Sequence, residues 1–314
     1  MNAYSWTSFL LSDTMLSLTH LRTFITTARV MNFTQASYEL CLSQPAVSGH
    51  IAALEAELGV KLFERTGRKV VLTDAGRLVL RASLDITDRI RTLEGELEDL
   101  SQLHSGTIRI GASRIIGVYL LPKILTAFRE AFPDIELLVS IHTAHTIGRL
   151  VEENAFDLAV VAEGDEHLRT GNVGVKRIGT DRLAIVAPAG SRFRKGNVLS
   201  AEEAALEQFI LPGRSTASAQ NLRRQLEGLG IRLKSTIEMD DAGAIKRAVE
   251  EGAGLAVISR AVVERELEDH RLVELSVPGW EPRRGIFMLW RQDRRFSRNT
   301  EVFMEFLKQK LADS

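Results

Sequence analysis

Apolar residues recur at helical spacing from the start of the folded pattern. Leu18, Leu21, Phe24, Ile25 and Ala28 share one face of a helix expected from about Ser17 to Val30. Phe33 then precedes Thr34, whose hydroxyl suits an N-cap, and Ala36, Tyr38 and Leu40 follow in a short second helix. After Cys41 and Leu42, Ser43 opens a third helix with Pro45 in its first turn, where a missing N–H costs nothing. Ala46, Val47, Ile51, Leu54 and Leu58 form its buried stripe and Gly59 closes it, leaving Gln44, Ser48, Gly49 and His50 nearer the outside. Two short apolar pieces, Lys61 to Phe63 and Lys69 to Leu72, flank the polar turn Glu64 to Arg68 and read as a winged hairpin.

From Thr73 to about Leu103 turn residues are sparse, and Ile86, Ile90, Leu93, Leu97 and Leu100 step by four, three, four and three. That heptad seam, about two heptads long and weakened by Gly95, fits a long amphipathic helix that pairs with a second copy. Beyond Ser105 the pattern changes. Short apolar runs at Thr107–Ile110, Ile135–Ile141, Leu158–Val161, Leu183–Ala187, Phe209–Leu211, Gly254–Ile258 and Ile286–Trp290 alternate with helical stretches. Such alternation predicts an α/β architecture with largely parallel sheets and, at over 200 residues, room for two lobes. The run from Asp181 to Ala187 reads as the strand that starts the second lobe, and the last strand with the helix from Ser297 to Leu311 returns to the first.

A chain of 314 residues, 45% hydrophobic and 26% charged, has enough material for two or three cores. Its formal net charge of -1 argues against nucleic acid unless cations are clustered locally. Arg65, Arg68 and Lys69 in the wing are such a cluster. The one cysteine, Cys41, excludes an intramolecular disulfide and leaves no zinc-spaced cluster, which suits a reducing cytoplasm; beside Leu40 and Leu42 it reads as a small core residue. No segment has the length and apolarity of a signal peptide or a membrane span, and residues 1–15 are expected to be a disordered extension or an upstream start. There is no GxSxG elbow, P-loop, HExxH or strand-borne GxGxxG, so neither an enzyme nor a metal or cofactor site is expected. His142 and His145 read as loop residues rather than metal ligands.

The order FTQAS, LSQPAVSGHI, LEAELGVKLFER and LTDAG resembles the N-terminal signature of the LysR-type transcriptional regulators, and the likeness extends from about Leu16 to the end. The resemblance implies a winged helix-turn-helix, a dimerising linker helix, and two Rossmann-like subdomains similar to type 2 periplasmic binding proteins with an effector between them. It also implies a tetramer built as a dimer of dimers. The corresponding division is 16–73 for the DNA-binding domain, 74–104 for the linker, 105–181 with 284–314 for the first subdomain, and 182–283 for the second.

A recognition helix presents its N-terminal side chains to base edges while flanking groups hold phosphates. Ser43, Gln44, Pro45, Ser48, Gly49 and His50 are therefore the candidate base readers, with Gln44 suited to adenine and Pro45 to a thymine methyl. Thr34 and Gln35, through side chains and main-chain N–H groups, and Arg65, Arg68 and Lys69 in the wing are candidates for the DNA backbone. Ligands of open α/β folds sit at the carboxyl ends of strands beside helix N-termini. That rule selects Ser113 and Arg114, Thr143 and Thr146, Ser215 and Thr216, and Asp241, for a small organic anion; helix capping is the plainer role for each hydroxyl. The expected partners are double-stranded DNA, the effector, further copies of the chain and, for an activator, RNA polymerase. An architectural DNA-binding protein without a ligand is the alternative, with a solute-binding protein behind it.

Overall fold

The computed structural model describes residues 16–66, 69–100, 106–163, 171–194, 198–213, 217–231, 233 and 235–312. The chain forms two compact units, one ending at Glu94 and the other beginning at Gly95.

The first unit opens with α1 (Leu18–Val30), α2 (Phe33–Leu40) and α3 (Gln44–Leu58). The N-cap of α2 is Asn32, not Thr34: its side-chain oxygen accepts from the N–H groups of Thr34 and Gln35 at 2.9 and 3.0 Å. An Asn in extended backbone two residues earlier reaches both orphan donors, which puts Thr34 inside the helix. Tyr38 is 74% exposed, and α2, only eight residues long, buries just Ala36 and Ser37. Cys41 ends α2 in the left-handed region and is exposed, so it is not a core residue. Ser43 caps α3, accepting from Ala46 N–H, and Gly59 closes it at φ 69°.

Leu21, Phe24, Ala28, Ile51, Leu54, Leu62 and Leu72 make the core of this unit. Each of the leucine, isoleucine and phenylalanine side chains contributes about 1.5–3 kcal/mol by burial. Phe63 meets Phe24 and Phe33 edge-on at 5.5 and 5.4 Å. The wing strands β1 (Phe63–Thr66) and β2 (Lys69–Leu72) pair antiparallel, with Thr66 opposite Lys69. Glu64, Arg65 and Thr66 are thus strand rather than turn; Gly67 and Arg68 lie outside the described residues. Thr73 Oγ1 accepts from Gly76 N–H at 2.9 Å and starts α4 (Asp74–Leu100), 27 residues long. A side chain at Gly76 would lie 2.2 Å from the carbonyl oxygen of Leu62, so the helix can leave the wing here only as glycine.

The second unit contains β3 (Gly106–Ser113), a π-helical turn at Ile116–Leu120, α5 (Leu121–Ala131), β4 (Ile135–His142), α6 (Ala144–Glu152), β5 (Leu158–Glu163), β6 (Val173–Pro188), α7 (Ala201–Leu206) and β7 (Gln208–Pro212). After these come α8 (Ala217–Gly228), β8 (Ser235–Met239), α9 (Ala242–Glu250), β9 (Leu255–Ser259), α10 (Arg260–Glu268), β10 (Leu272–Leu275), β11 (Arg283–Arg291) and α11 (Arg298–Ala312). The strands run in the order β4-β3-β5-β11-β6-β9-β7-β8, with β10 also on β6. The β3 ladders to β4 and β5 and the β7 ladders to β8 and β9 are parallel, while β11 is antiparallel to both neighbours.

One feature departs from expectation at the junction. No strand begins at Asp181; β6 runs unbroken for 16 residues, pairing with β11 over Val173–Arg182 and with β9 and β10 over Leu183–Pro188. The polar stretch Lys176 to Arg182 concealed the strand, because only Ile178 and Asp181 are buried there and no apolar alternation marks it. Helices cover both sides at each end. Near β3, Phe128, Phe303 and Leu307 pack on one face, and Ile147, Val151 and Phe156 on the other. Near β9, Leu222 and Leu226 lie on one face, and Ile245, Val249 and Val263 on the other.

Candidate nucleic-acid interface and effector cleft

Ser43, Gln44, Pro45 and Gly49 are exposed along the first turns of α3, and Ser48 is half-exposed. Gln44 Nε2 donates to Ser48 Oγ at 2.8 Å, so the amide is held over the helix surface. A side chain at Gly49 would meet nothing within 4 Å; the bare backbone there is not demanded by packing. A groove of about 1040 Å³ runs between α3 and the wing and brings together Thr34, Gln44, Ser48, Arg65 and Lys69. Gln35 is exposed at the adjoining end of α2. The N–H groups of Thr34 and Gln35 are both taken by Asn32, leaving side chains alone for an outside ligand.

His50 stands apart from this group. Thr23 Oγ1 gives its one hydrogen to Thr19 carbonyl at 2.9 Å, so it accepts from His50 Nδ1–H at 3.0 Å. The imidazole is thereby turned onto α1, its ring 5.1 Å from that of His20.

What fixes the wing to α3 is Glu55, which sequence reading did not single out. Its Oε1 accepts from the N–H groups of Leu62 and Phe63 at 2.9 and 3.4 Å, and its Oε2 from Lys61 Nζ at 2.5 Å. Burial raises the carboxyl pKa, but the bond from Lys61, the two N–H groups and the Lys61 charge outweigh it and hold the carboxyl below its ordinary value. A buried glutamate seven residues before the amide it caps has no local sequence signature.

In the second unit the selected loop residues separate into three arrangements. Ser113 ends β3 instead of following it; it is buried, and its Oγ accepts from Ala162 N–H at 3.1 Å. Arg114 reaches across to Asp241 at 3.4 Å, both partly exposed, while Asp241 caps α9 through Ala244 N–H at 2.9 Å. Thr143 caps α6, accepting from Thr146 N–H at 3.3 Å and donating to Thr146 Oγ1. Ser215 and Thr216 lie outside the described residues. Around the Arg114 contact, Ile115 and Tyr119 pack against the apolar cluster of α9 and α10, and Lys123 pairs with Glu264 at 2.9 Å. On α4, Ile86 and Leu93 are exposed and Ile90 is half-buried, while the side chains of Leu97 and Leu100 are outside the description.

Residues 18–77 match the model of the bacterial regulatory helix-turn-helix proteins of the lysR family, and residues 101–312 match that of the LysR substrate binding domain. Among curated relatives, the RuBisCO operon transcriptional regulator of Allochromatium vinosum is 32% identical over 291 residues, covering 93% of this chain and 95% of that protein. A probable RuBisCO transcriptional regulator of Trichormus variabilis is 30% identical, with 94% of this chain and 88% of that protein covered. The fold is similar to full-length OxyR from Pseudomonas aeruginosa, with a TM-score of 0.67 at 22% identity and 94% of each chain covered. It is also similar to full-length CbnR complexed with its target DNA, with a TM-score of 0.57 at 20% identity, over 94% of this chain and 99% of that one.

Proposed function

The chain belongs to the LysR family of transcriptional regulators, a DNA-binding helix-turn-helix followed by an effector-binding domain, and on that premise we propose how its own residues divide the work. Gln44, with Ser43, Pro45, Ser48 and the bare backbone of Gly49, reads base edges in the major groove. Thr34, Gln35, Arg65, Arg68 and Lys69 hold the DNA backbone on either side. His50, bonded to Thr23, positions α3 rather than touching a base. The observation that carries this reading is the single groove shared by Thr34, Gln44, Ser48, Arg65 and Lys69. Glutamine and arginine brought to one concave face suit base recognition flanked by phosphate contacts.

The remaining roles follow from the cleft and the helix seam. Residues 105–181 with 284–314 and residues 182–283 act as two lobes, with the effector between them near Ser113, Arg114, Thr143, Thr146, Ser215, Thr216 and Asp241. A small organic anion would compete with Asp241 for Arg114, an exposed pair worth only about 0–1 kcal/mol. It acts by binding two lobe arrangements unequally. Ile86, Ile90, Leu93, Leu97 and Leu100 pair two copies, two such pairs make a tetramer, and RNA polymerase is the further partner of an activator. The chain works in the cytoplasm and catalyses no reaction. The relatives' names make a RuBisCO operon promoter the first DNA to try.

Gel-shift titration on a matched operator and on one altered at a single base pair tests the division. Gln44→Ala should cost about 1–3 kcal/mol on the matched site and little on the altered one, while Arg65→Ala weakens both alike. Equal losses on both sites for Gln44→Ala would remove its base-reading role.

A further inference from the structure

Beyond Ser113 and Arg114 the chain makes one π-helical turn, Ile116–Leu120, closed by a bond from Leu121 N–H to the carbonyl of Ile116. Single π turns are rare and gather at functional sites. Winding that bonds residues five apart brings Ile116 and Leu121 together, and both are buried in the core beside β3 with Ile124 and Phe128. Gly117 lies close against β4, since a side chain there would begin 2.7 Å from Cγ1 of Ile141. The turn is therefore seated on the part of the sheet that carries β3 and β4.

Its remaining side chains turn elsewhere. Ile115 and Tyr119 pack against the cluster of Ile245, Val249, Val262 and Val263 on α9 and α10. The Tyr119 hydroxyl stands over the first turn of α9, 3.5 Å from where a side chain at Gly243 would begin. Just beyond the turn, Lys123 at the start of α5 pairs with Glu264 of α10 at 2.9 Å, across 141 residues of chain. These contacts join the two ends of the sheet without passing through β6 or the segment between β10 and β11.

We propose that the π-helical turn is a latch between the two lobes: Ile115, Tyr119 and Lys123, carried on the first, hold α9 and α10 of the second, and their release lets the lobes rearrange about β6 and β11. The latch rests on the two-lobe reading given above and adds residues that no effector needs to touch. Arg114, which an anion would draw from Asp241, directly precedes Ile115, so a ligand in the cleft acts on one end of the latch. The hold is weak. Lys123 and Glu264 are exposed, and such a pair shifts an equilibrium by no more than about fivefold, while Ile115 and Tyr119 are only half-buried. A ligand with a modest preference for another lobe arrangement can override it.

Distance measurement between two spin labels reads the lobes directly. The labels go on exposed positions of α5 and α8, as Glu130→Cys and Glu227→Cys in the full chain with Cys41→Ser, diluted with unlabelled chain so that only distances within one copy are seen. Lys123→Glu, which loses the pair and sets two carboxylates together, should raise the population at a second distance about fivefold. Glu264→Lys should do the same, and the exchange of both charges should return the parental distribution. Tyr119→Ala should raise that population further. Positions 123 and 264 are exposed, so their variants should melt as the parent does. The parental distribution in both Lys123→Glu and Tyr119→Ala, or a change in Lys123→Glu that the charge exchange does not reverse, would overturn the latch. The measurement uses no effector: an effector bound outside the cleft would remove the cleft reading and leave the latch standing, whereas a distribution altered by Arg114→Gln alone would remove the latch and leave the cleft.

Discussion

Replacing Glu55 tests how the wing is held in place to reach DNA. Glu55→Ala removes the acceptor of Leu62 N–H, in a residue with no exposed surface, and the weaker acceptor of Phe63 N–H. A buried donor left unpaired costs about 1–3 kcal/mol, so the two together should cost about 2–4 kcal/mol, a large part of the roughly 5–15 kcal/mol that holds a domain. Lys61, with its side chain 76% exposed, adds at most about 1 kcal/mol. Glu55→Gln keeps a carbonyl oxygen for Leu62 and should lose only about 1 kcal/mol. The carboxyl sits below its ordinary pKa, so the unfolded chain takes up the proton first as pH falls. This stability is therefore complete above the unfolded value of about 4.3 and disappears as pH drops through the folded value. Urea unfolding of the full chain, with amide hydrogen exchange across residues 61–72 to assign the loss to the wing, measures the effect. Equal losses for the Ala and Gln variants, or an Ala variant with parental stability and exchange, would refute the reasoning.

Two further substitutions separate local causes in the same unit. Gly76→Ala places a methyl 2.2 Å from the Leu62 carbonyl and 2.9 Å from Leu72 Cδ2, and should destabilise by about 3 kcal/mol or more in a urea melt. A cost below about 1 kcal/mol would mean that α4 can move off the wing. Asn32→Ala should lose about 1 kcal/mol as the cap of α2, whereas Thr34→Ala should stay within about 0.5 kcal/mol; the reverse order in the same melts would return the cap to Thr34.

Sequence legibility followed the range of the interactions. The three helices, Ser43 as a cap, Pro45 in the first turn and Gly59 at the end were readable because each depends on neighbours within four residues. Asn32 was missed because Thr34 and Asn32 are both competent caps, and only the path of the chain chooses between them. The full length of β6 was hidden because Lys176, Arg177, Asp181 and Arg182 break the apolar alternation that marks a strand. Glu55 and the pairing of Arg114 with Asp241 were beyond reach for a common reason. Their meaning comes from contacts between separate segments of the chain. Candidate loops at strand ends could be selected by rule, but the rule could not say that the Ser113 hydroxyl takes up the Ala162 N–H.

The charge of the DNA-binding unit bears on how many copies must act together. Between residues 18 and 77 there are seven Lys or Arg against five Asp or Glu. Arg29, Lys61 and Arg77 are paired with Glu39, Glu55 and Asp74. Among the described residues, Arg22, Arg65 and Lys69 have no such carboxylate, and Arg68 lies outside them. If three or four cations per copy meet phosphates, the slope of log K against log salt should be about −2.7 to −3.6 for one head, at roughly 0.9 per phosphate. Two heads on one operator should double it, and only then does the electrostatic contribution approach that of proteins making six or more phosphate contacts. Titrations at several salt concentrations on a half-site and on a full operator measure both slopes. A slope on the full operator no steeper than on the half-site would mean that a single head carries the binding, and the exposed Ile86 and Leu93 would then need another explanation.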